Sequence, residues 1–159
     1  MADYKRTASF GREMLTTSLV NAGFDVTPKK THLLATRGNE KYAIAYVTRK
    51  LSNKKIKESK PVHLLQSKLD NLQELVHGLD EEYLFCLGFV IFKYEYPRCE
   101  LAVLPLSVWE RSERGTIISK TIDNSGKTKF FYNFSKSNDM IQDSYVLHTE
   151  WIMHDLKVK

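Results

Sequence analysis

A chain of 159 residues, 42% hydrophobic and 27% charged, has the size and composition of one globular domain and lies outside the disordered and fibrous classes. Its longest apolar run, Tyr83 to Phe92 (YLFCLGFVIF), is about half the ~18 residues of a membrane-spanning helix, so it reads as core. The net charge of +5 is unevenly spread: Met1 to Lys60 holds thirteen Lys and Arg against five Asp and Glu, a surplus of +8, and the remainder carries −3.

The opening MADYKRTASFGRE lacks the apolar stretch of a secretory signal, and two cysteines, Cys86 and Cys99, fit buried thiols, so the expected compartment is the cytoplasm. The first predicted element is a helix over Thr7 to Ala22. Phe10, Met14, Leu15, Leu19 and Val20 recur at helical spacing, and Gly23 stands where a C-terminal cap belongs. Phe24 to Val26 reads as a short strand ended by Pro28, and Thr31 to Thr36 as a second. Gly38 and Asn39 then turn the chain into a third strand, Lys41 to Arg49, apolar on both faces and therefore expected to be covered on both sides. The segment Arg49 to Lys60 (RKLSNKKIKESK) holds six cations against one acid, Glu58. Such a run either attracts phosphates or forms a solvated loop.

Pro61 is a plausible first-turn residue for a second helix ending near His77, whose Leu65, Leu69, Leu72, Val76 and Leu79 step by four and three. Glu82 to Tyr94 is predicted to be a long central strand and Glu100 to Leu104 its partner. The hairpin between them, turning near Tyr96 and Pro97, sets Cys99 opposite a residue near Lys93, which argues against a disulfide to Cys86. Leu106 to Arg111 reads as a helical turn. Thr116 to Ile122 and Lys129 to Phe134 form a further hairpin around Asn124, Ser125 and Gly126, and Tyr145 to Met153 reads as a strand with a helical alternative. With no internal repeat or linker in between, residues 1–159 are expected to form one domain: a core over 7–110 and a hairpin-and-strand extension over 112–159.

Helix, three strands, helix, strand, strand is the order in which the chain resembles the PD-(D/E)xK nuclease superfamily, in particular Holliday-junction resolvases and restriction-endonuclease-like proteins. The residues that carry the likeness are Gly11 and Glu13 in FGREMLTTSLVNAGFDV, Gly23 before the short strand, Thr48 and Arg49 after the third strand, and the run KLDNLQELVHGLDEEYLFCLGFVIF followed by LAVLPLSVWE. The fold this implies is an α/β (α+β) restriction-endonuclease-like core, a mixed central sheet flanked by helices, with an extra C-terminal hairpin. The chain departs from the family at the catalytic positions. Aligning Thr48 and Arg49 places Val47 where the catalytic Lys belongs, Ala45 where the metal-binding acid belongs, and His32 or Leu33 at the first Asp. Two carboxylates must converge on Mg²⁺, and Ala and Val cannot replace them.

No zinc spacing links the five histidines with the cysteines, and no phosphate-loop or dinucleotide motif occurs. The expectation is a catalytically degenerate nuclease-fold protein, needing no cofactor, that binds nucleic acid, DNA foremost, through its basic first third. Lys29, Lys30, Arg49, Lys50, Lys54, Lys55 and Lys57 are the expected phosphate contacts. Trp109, Trp151, Tyr94, Tyr96, Phe130, Phe131 and Tyr132 are candidates for stacking on unpaired bases, although the ordinary role of aromatics in strands is core. Two alternatives stay open. One is a divergent Mg²⁺-dependent nuclease using Glu13 with ligands relocated to Asp25, His32 or Glu40. The other is an interaction or inhibitor subunit that binds a protein through the C-terminal extension. A homodimer is compatible with each reading.

Overall fold

In the structure, a computed structural model that describes residues 2–29, 32–51, 62–79, 82–93, 98–110, 118–132 and 144–146, helix α1 (Ala2–Asn21) leads into strands β1 (Asp25–Lys29), β2 (His32–Arg37) and β3 (Glu40–Leu51). Strand β4 (Val62–Leu65) runs directly into helix α2 (Gln66–His77), followed by β5 (Leu84–Lys93), β6 (Arg98–Pro105) and a short helix α3 (Leu106–Glu110). Strands β7 (Ile118–Ile122), β8 (Thr128–Tyr132) and β9 (Ser144–Val146) complete the described elements. The central sheet has the order β1-β2-β3-β5-β6-β9, and β4, β8 and β7 form a second, three-stranded sheet in that order. The central sheet is mixed: β3 and β5 run parallel, as do β6 and β9, and its other pairs are antiparallel.

Alternation along β3 divides the core in two. Ala43, Ala45 and Val47 pack with Leu69, Leu72 and Val76 of α2, with Leu87 and Phe89 of β5, and with Phe130 and Tyr132 of β8. Ile44 and Tyr46 pack on the other face with Leu15 and Leu19 of α1, together with Phe24, Val90 and Val103. One helix on each face is what a strand apolar on both sides requires, each buried Leu or Val contributing roughly 1.5–3 kcal/mol. The mixed, helix-flanked α+β architecture expected from the sequence is the one observed.

Local details depart from expectation for identifiable reasons. On α1 the buried line is Thr7, Leu15 and Leu19 with Gly11 between them, a step of four, while Phe10, Met14 and Val20 are 39%, 42% and 52% exposed. The apolar spacing located the helix but not its inner face, because glycine and threonine give no hydropathy signal. Strand β1 runs through Pro28, which pairs with Leu33 on an edge strand where a missing N–H is tolerated. The stretch read as the first turn of the second helix is β4, whose Val62 and Leu64 are buried opposite Tyr132 and Phe130. Pairing with a hairpin some sixty residues onward overrode the local helix signal there, and Pro61 lies outside the described residues. Leu65 and Leu79, counted in the helical stripe, are both exposed and outside α2. Phe92 pairs with Cys99 and Cys86 with Pro105, the cross-strand separation expected of the two cysteines. Burial pushes the Cys86 thiol up.

Two glycines fix how α1 sits. Gly23, at φ 94°, ends the helix in a Schellman motif, with Phe24 N donating to Leu19 O at 3.0 Å and Gly23 N to Val20 O at 2.9 Å. Gly11 lies against β3, where an added Cβ would overlap the Thr48 side chain. In an exposed helix Gly→Ala gains up to about 1 kcal/mol. Here Gly11→Ala is expected to destabilise by about 1–3 kcal/mol through overpacking. The double variant Gly11→Ala/Thr48→Ala is expected to be more stable than the two single losses added together. Urea unfolding of the four proteins measures this, and a Gly11→Ala variant more stable than the parent would contradict the contact.

Candidate functional site

The residues singled out by the resemblance, His32 or Leu33, Ala45 and Val47, fall on the neighbouring strands β2 and β3. His32 pairs directly across from Ala45, and Val47 follows on the same face of β3. All three are buried, Ala45 and Val47 within the apolar cluster beneath α2. The His32 imidazole places Nε2 3.2 Å from the Lys68 carbonyl. A carbonyl can only accept, so Nε2 carries the proton. Burial, followed by the nearby Lys68 charge, holds the His32 pKa below its usual value, although its bond to the Lys68 carbonyl acts the other way. The imidazole is therefore neutral near pH 7, and among the described residues no carboxylate hydrogen-bonds to it.

A lysine of another element reaches this end of β3. His32 is the first residue of β2, so the β2–β3 register stops at Ala45. The next carbonyl, Tyr46 O, accepts a 2.6 Å hydrogen bond from Nζ of Lys68 in the first turn of α2. Burial, reinforced by the charge of Arg49, lowers the Lys68 pKa. Arg49 donates from Nη1 to Thr48 O at 2.9 Å. Both cations thus bond to backbone carbonyls, and among the described residues neither has a carboxylate partner. His63 of β4 joins the group: burial first, then Lys129 of β8 and Arg49, keep its pKa low. Lys68 was not among the residues expected to form the site. Its signal was the presence of a lysine one turn before Leu72 and two before Val76, on the buried side of the helix.

Lys29, exposed at the end of β1, pairs with His32, and Lys50, also exposed, follows Arg49. They therefore lie at the same end of the sheet as Lys68. Lys30, Lys54, Lys55 and Lys57 lie outside the described residues, as do Tyr94, Tyr96 and Trp151. Glu13 is exposed on α1, and α1 packs on the face of β3 opposite to His32, Ala45 and Val47. Asp25 pairs with Thr36 and Glu40 with Arg37 at the far end of the β2–β3 hairpin. There Glu40 is bound by Arg37 at 2.7 Å and by the Tyr42 hydroxyl at 3.1 Å. The carboxylates considered as relocated metal ligands are thus not brought to His32, and among the described residues no group of three His, Cys, Asp or Glu could hold a metal ion. Trp109, Phe130 and Tyr132 are core residues, each about 1% exposed. Phe131 is not, and it contacts His63. No helix among the described residues is long and apolar enough to cross a membrane.

No protein-family model matches the sequence and no curated protein matches it. Among solved structures, the chain is similar to Hjc, a Holliday junction resolvase from the archaeal hyperthermophile Archaeoglobus fulgidus, with a TM-score of 0.45 and 17% identity, over 82% of this chain and 94% of that one.

His32 and His63 give an acid-side prediction. The folded-state pKa values of His32 and His63 are held below the ordinary value of 6.5, so the unfolded chain binds more protons than the folded one once the pH falls to that value. The histidine contribution to stability is then expected to be flat above about pH 7 and to fall as the pH drops through ~6.5 toward the depressed folded values. His32→Gln keeps an N–H donor for the Lys68 carbonyl and should flatten that fall. Urea unfolding at pH 5, 6 and 7.5 measures it, and an unchanged slope in the variant would assign the proton uptake elsewhere.

Proposed function

We propose that this chain is a nucleic-acid-binding protein on a nuclease-like scaffold, that DNA is its ligand, and that it acts by binding without cleaving. Support for the second part comes from the residues at the aligned site. A neutral imidazole, a methyl and an isopropyl group stand where a hard cation would need converging oxygens. Support for binding comes from the opposite deficiency. Lys68 and Arg49, with Lys29 and Lys50 beside them, gather positive charge at one end of the sheet, and the carboxylates Asp25 and Glu40 lie at the other end.

Partly buried like charges without a carboxylate are unfavourable by themselves and favourable toward a phosphate. In the sequence, Lys30 follows Lys29, and Lys54, Lys55 and Lys57 come after the last residue of β3. On this reading residues 7–110 form the binding core and 112–159 extend it, within one domain. The observation that carries the proposal is the Arg49–Lys68 pair, whose hydrogen bonds go to backbone carbonyls and whose charges remain unneutralised among the described residues.

Fluorescence anisotropy with labelled duplex, four-way-junction and single-stranded DNA at 50–200 mM salt tests it. Affinity is expected to fall steeply with salt. Arg49→Gln, Lys50→Gln and Lys68→Gln are each expected to weaken binding and to reduce the log–log salt slope by roughly one. Absence of binding, or binding without a salt slope, overturns the nucleic-acid reading. Mg²⁺-dependent cleavage of the same DNAs that disappears in Glu13→Ala overturns the non-catalytic one.

A further inference from the structure

The small sheet has an outer face that the core does not explain. Along β8, Phe130 and Tyr132 turn inward, where Tyr132 stacks on Phe89 at 5.5 Å and Phe130 meets Trp109 edge-on at 6.4 Å. Phe131 between them points the other way, as alternation demands. It is partly exposed and stands directly across from His63 of β4, with ring centroids 5.8 Å apart and planes at 52°. Lys129 and Leu65 form the next pair on this face, and Leu65 is 39% exposed. Thr121 of β7 stands on the other side of Lys129. Arg49, at the end of β3, lies close enough for its charge to act on His63, as does that of Lys129.

Asp123, in the β7–β8 turn, is the acid paired with Lys129 among the described residues. Its Oδ1 accepts from Ser125 N, Ser125 Oγ and Lys127 N at 3.0, 2.7 and 2.9 Å. Its Oδ2 is 3.8 Å from Lys129 Nζ, a long, partly exposed ion pair that contributes little. The face therefore offers an accessible aromatic ring held by an imidazole, an apolar shelf beside it, and cations around the rim.

We propose that Phe131, held by His63, is a stacking platform for an unpaired nucleobase whose flanking phosphates reach Lys129 and Arg49. A phenyl ring on a solvent-facing sheet position adds little to folding, but every base has a π-face that such a ring can stack on, and the phosphates on either side of a stacked base need positive charge within a few ångströms. The bases of a duplex are stacked on each other and cannot use the ring, so the platform selects single-stranded or branched DNA over continuous duplex. The inference rests on the nucleic-acid reading above and narrows it to ligands with unpaired bases. It also connects the two sheets, since Arg49 belongs to the central sheet and Phe131 to the small one.

The test compares the parent with Phe131→Tyr, which keeps a ring, Phe131→Leu, which keeps apolar bulk without one, and Phe131→Ala, all checked by circular dichroism and thermal unfolding. The probes are a labelled dT20 oligonucleotide, the same oligonucleotide with central abasic sites, and a 20-base-pair duplex, at one low salt concentration. Phe131→Tyr is expected to bind dT20 like the parent, and Phe131→Leu and Phe131→Ala about 5- to 100-fold more weakly. All four proteins are expected to bind the duplex within twofold of one another. The abasic oligonucleotide should bind the parent as weakly as dT20 binds Phe131→Leu. If the folded Leu variant binds dT20 as tightly as the parent, or if the Leu and Ala variants lose duplex and dT20 binding equally, the platform is refuted while salt-dependent binding stands. If the parent binds none of the probes, the nucleic-acid reading fails and this inference with it.

Discussion

The burial of β3 on both faces is the constraint from which the rest of the architecture follows. An apolar strand with its two sides closed needs a helix on each, and the chain provides α1 on the Ile44–Tyr46 side and α2 on the Ala45–Val47 side. The lateral fit is equally restricted. Tyr46 pairs with Gly88 of β5, where an added Cβ would come within 3.1 Å of the Tyr46 Cβ, so the glycine admits the larger side chain next to it. On the other flank Gly11 lets α1 approach Thr48. Small residues at 11, 43, 45 and 88 let the layers come together, and the large ones fill the space between them, as close packing requires.

The same burial determines what the site contains. Positions 45 and 47 lie in the middle of the α2 interface, where a carboxylate or ammonium would be desolvated unless a metal or partner compensated it. Alanine and valine suit that interface. Charge is instead placed where β3 outruns β2 and its backbone becomes available. Lys68 fills that gap by bonding Tyr46 O, and Arg49 continues the line. Burial and the repulsion of Arg49 act together to lower the Lys68 pKa. Arg37 shows the contrasting case at the far end of the hairpin, where it is neutralised by Glu40, bonds Ala22 O at 2.7 Å and covers the Phe24 ring. The two ends of the sheet thus differ in how their cations are matched.

The short sheet gives the chain a second surface. Its inner side is continuous with the α2 core through Val62, Leu64, Phe130 and Tyr132. That continuity explains why a strand precedes α2 with no intervening loop: β4 has to reach β8 before the chain turns to cover the central sheet. Its outer side carries Phe131 and His63. Three consecutive aromatics, Phe130, Phe131 and Tyr132, therefore divide between two environments by alternation alone.

Much of this organisation was legible in the sequence, since short-range signals were strong where they agreed with the fold. The Gly23 helix stop, the Gly38–Asn39 turn, the two-faced pattern of β3 and the stripe Leu69, Leu72 and Val76 each follow from backbone geometry and apolar periodicity. The cross-strand separation of Cys86 from Cys99 follows from the hairpin register. Positions 32 or 33, 45 and 47 were named by the resemblance alone, and the β2–β3 register sets His32 opposite Ala45. Four things were decided only by the tertiary structure: the inward face of α1, the strand character of 62–65, the arrival of Lys68 at the end of the β2–β3 register, and the outward turn of Phe131. Each depends on a contact between residues far apart in sequence, Gly11 with Thr48, Val62 with Tyr132, Lys68 with Tyr46 and His63 with Phe131. Local periodicity reports which residues share a face, and long-range packing decides what that face meets.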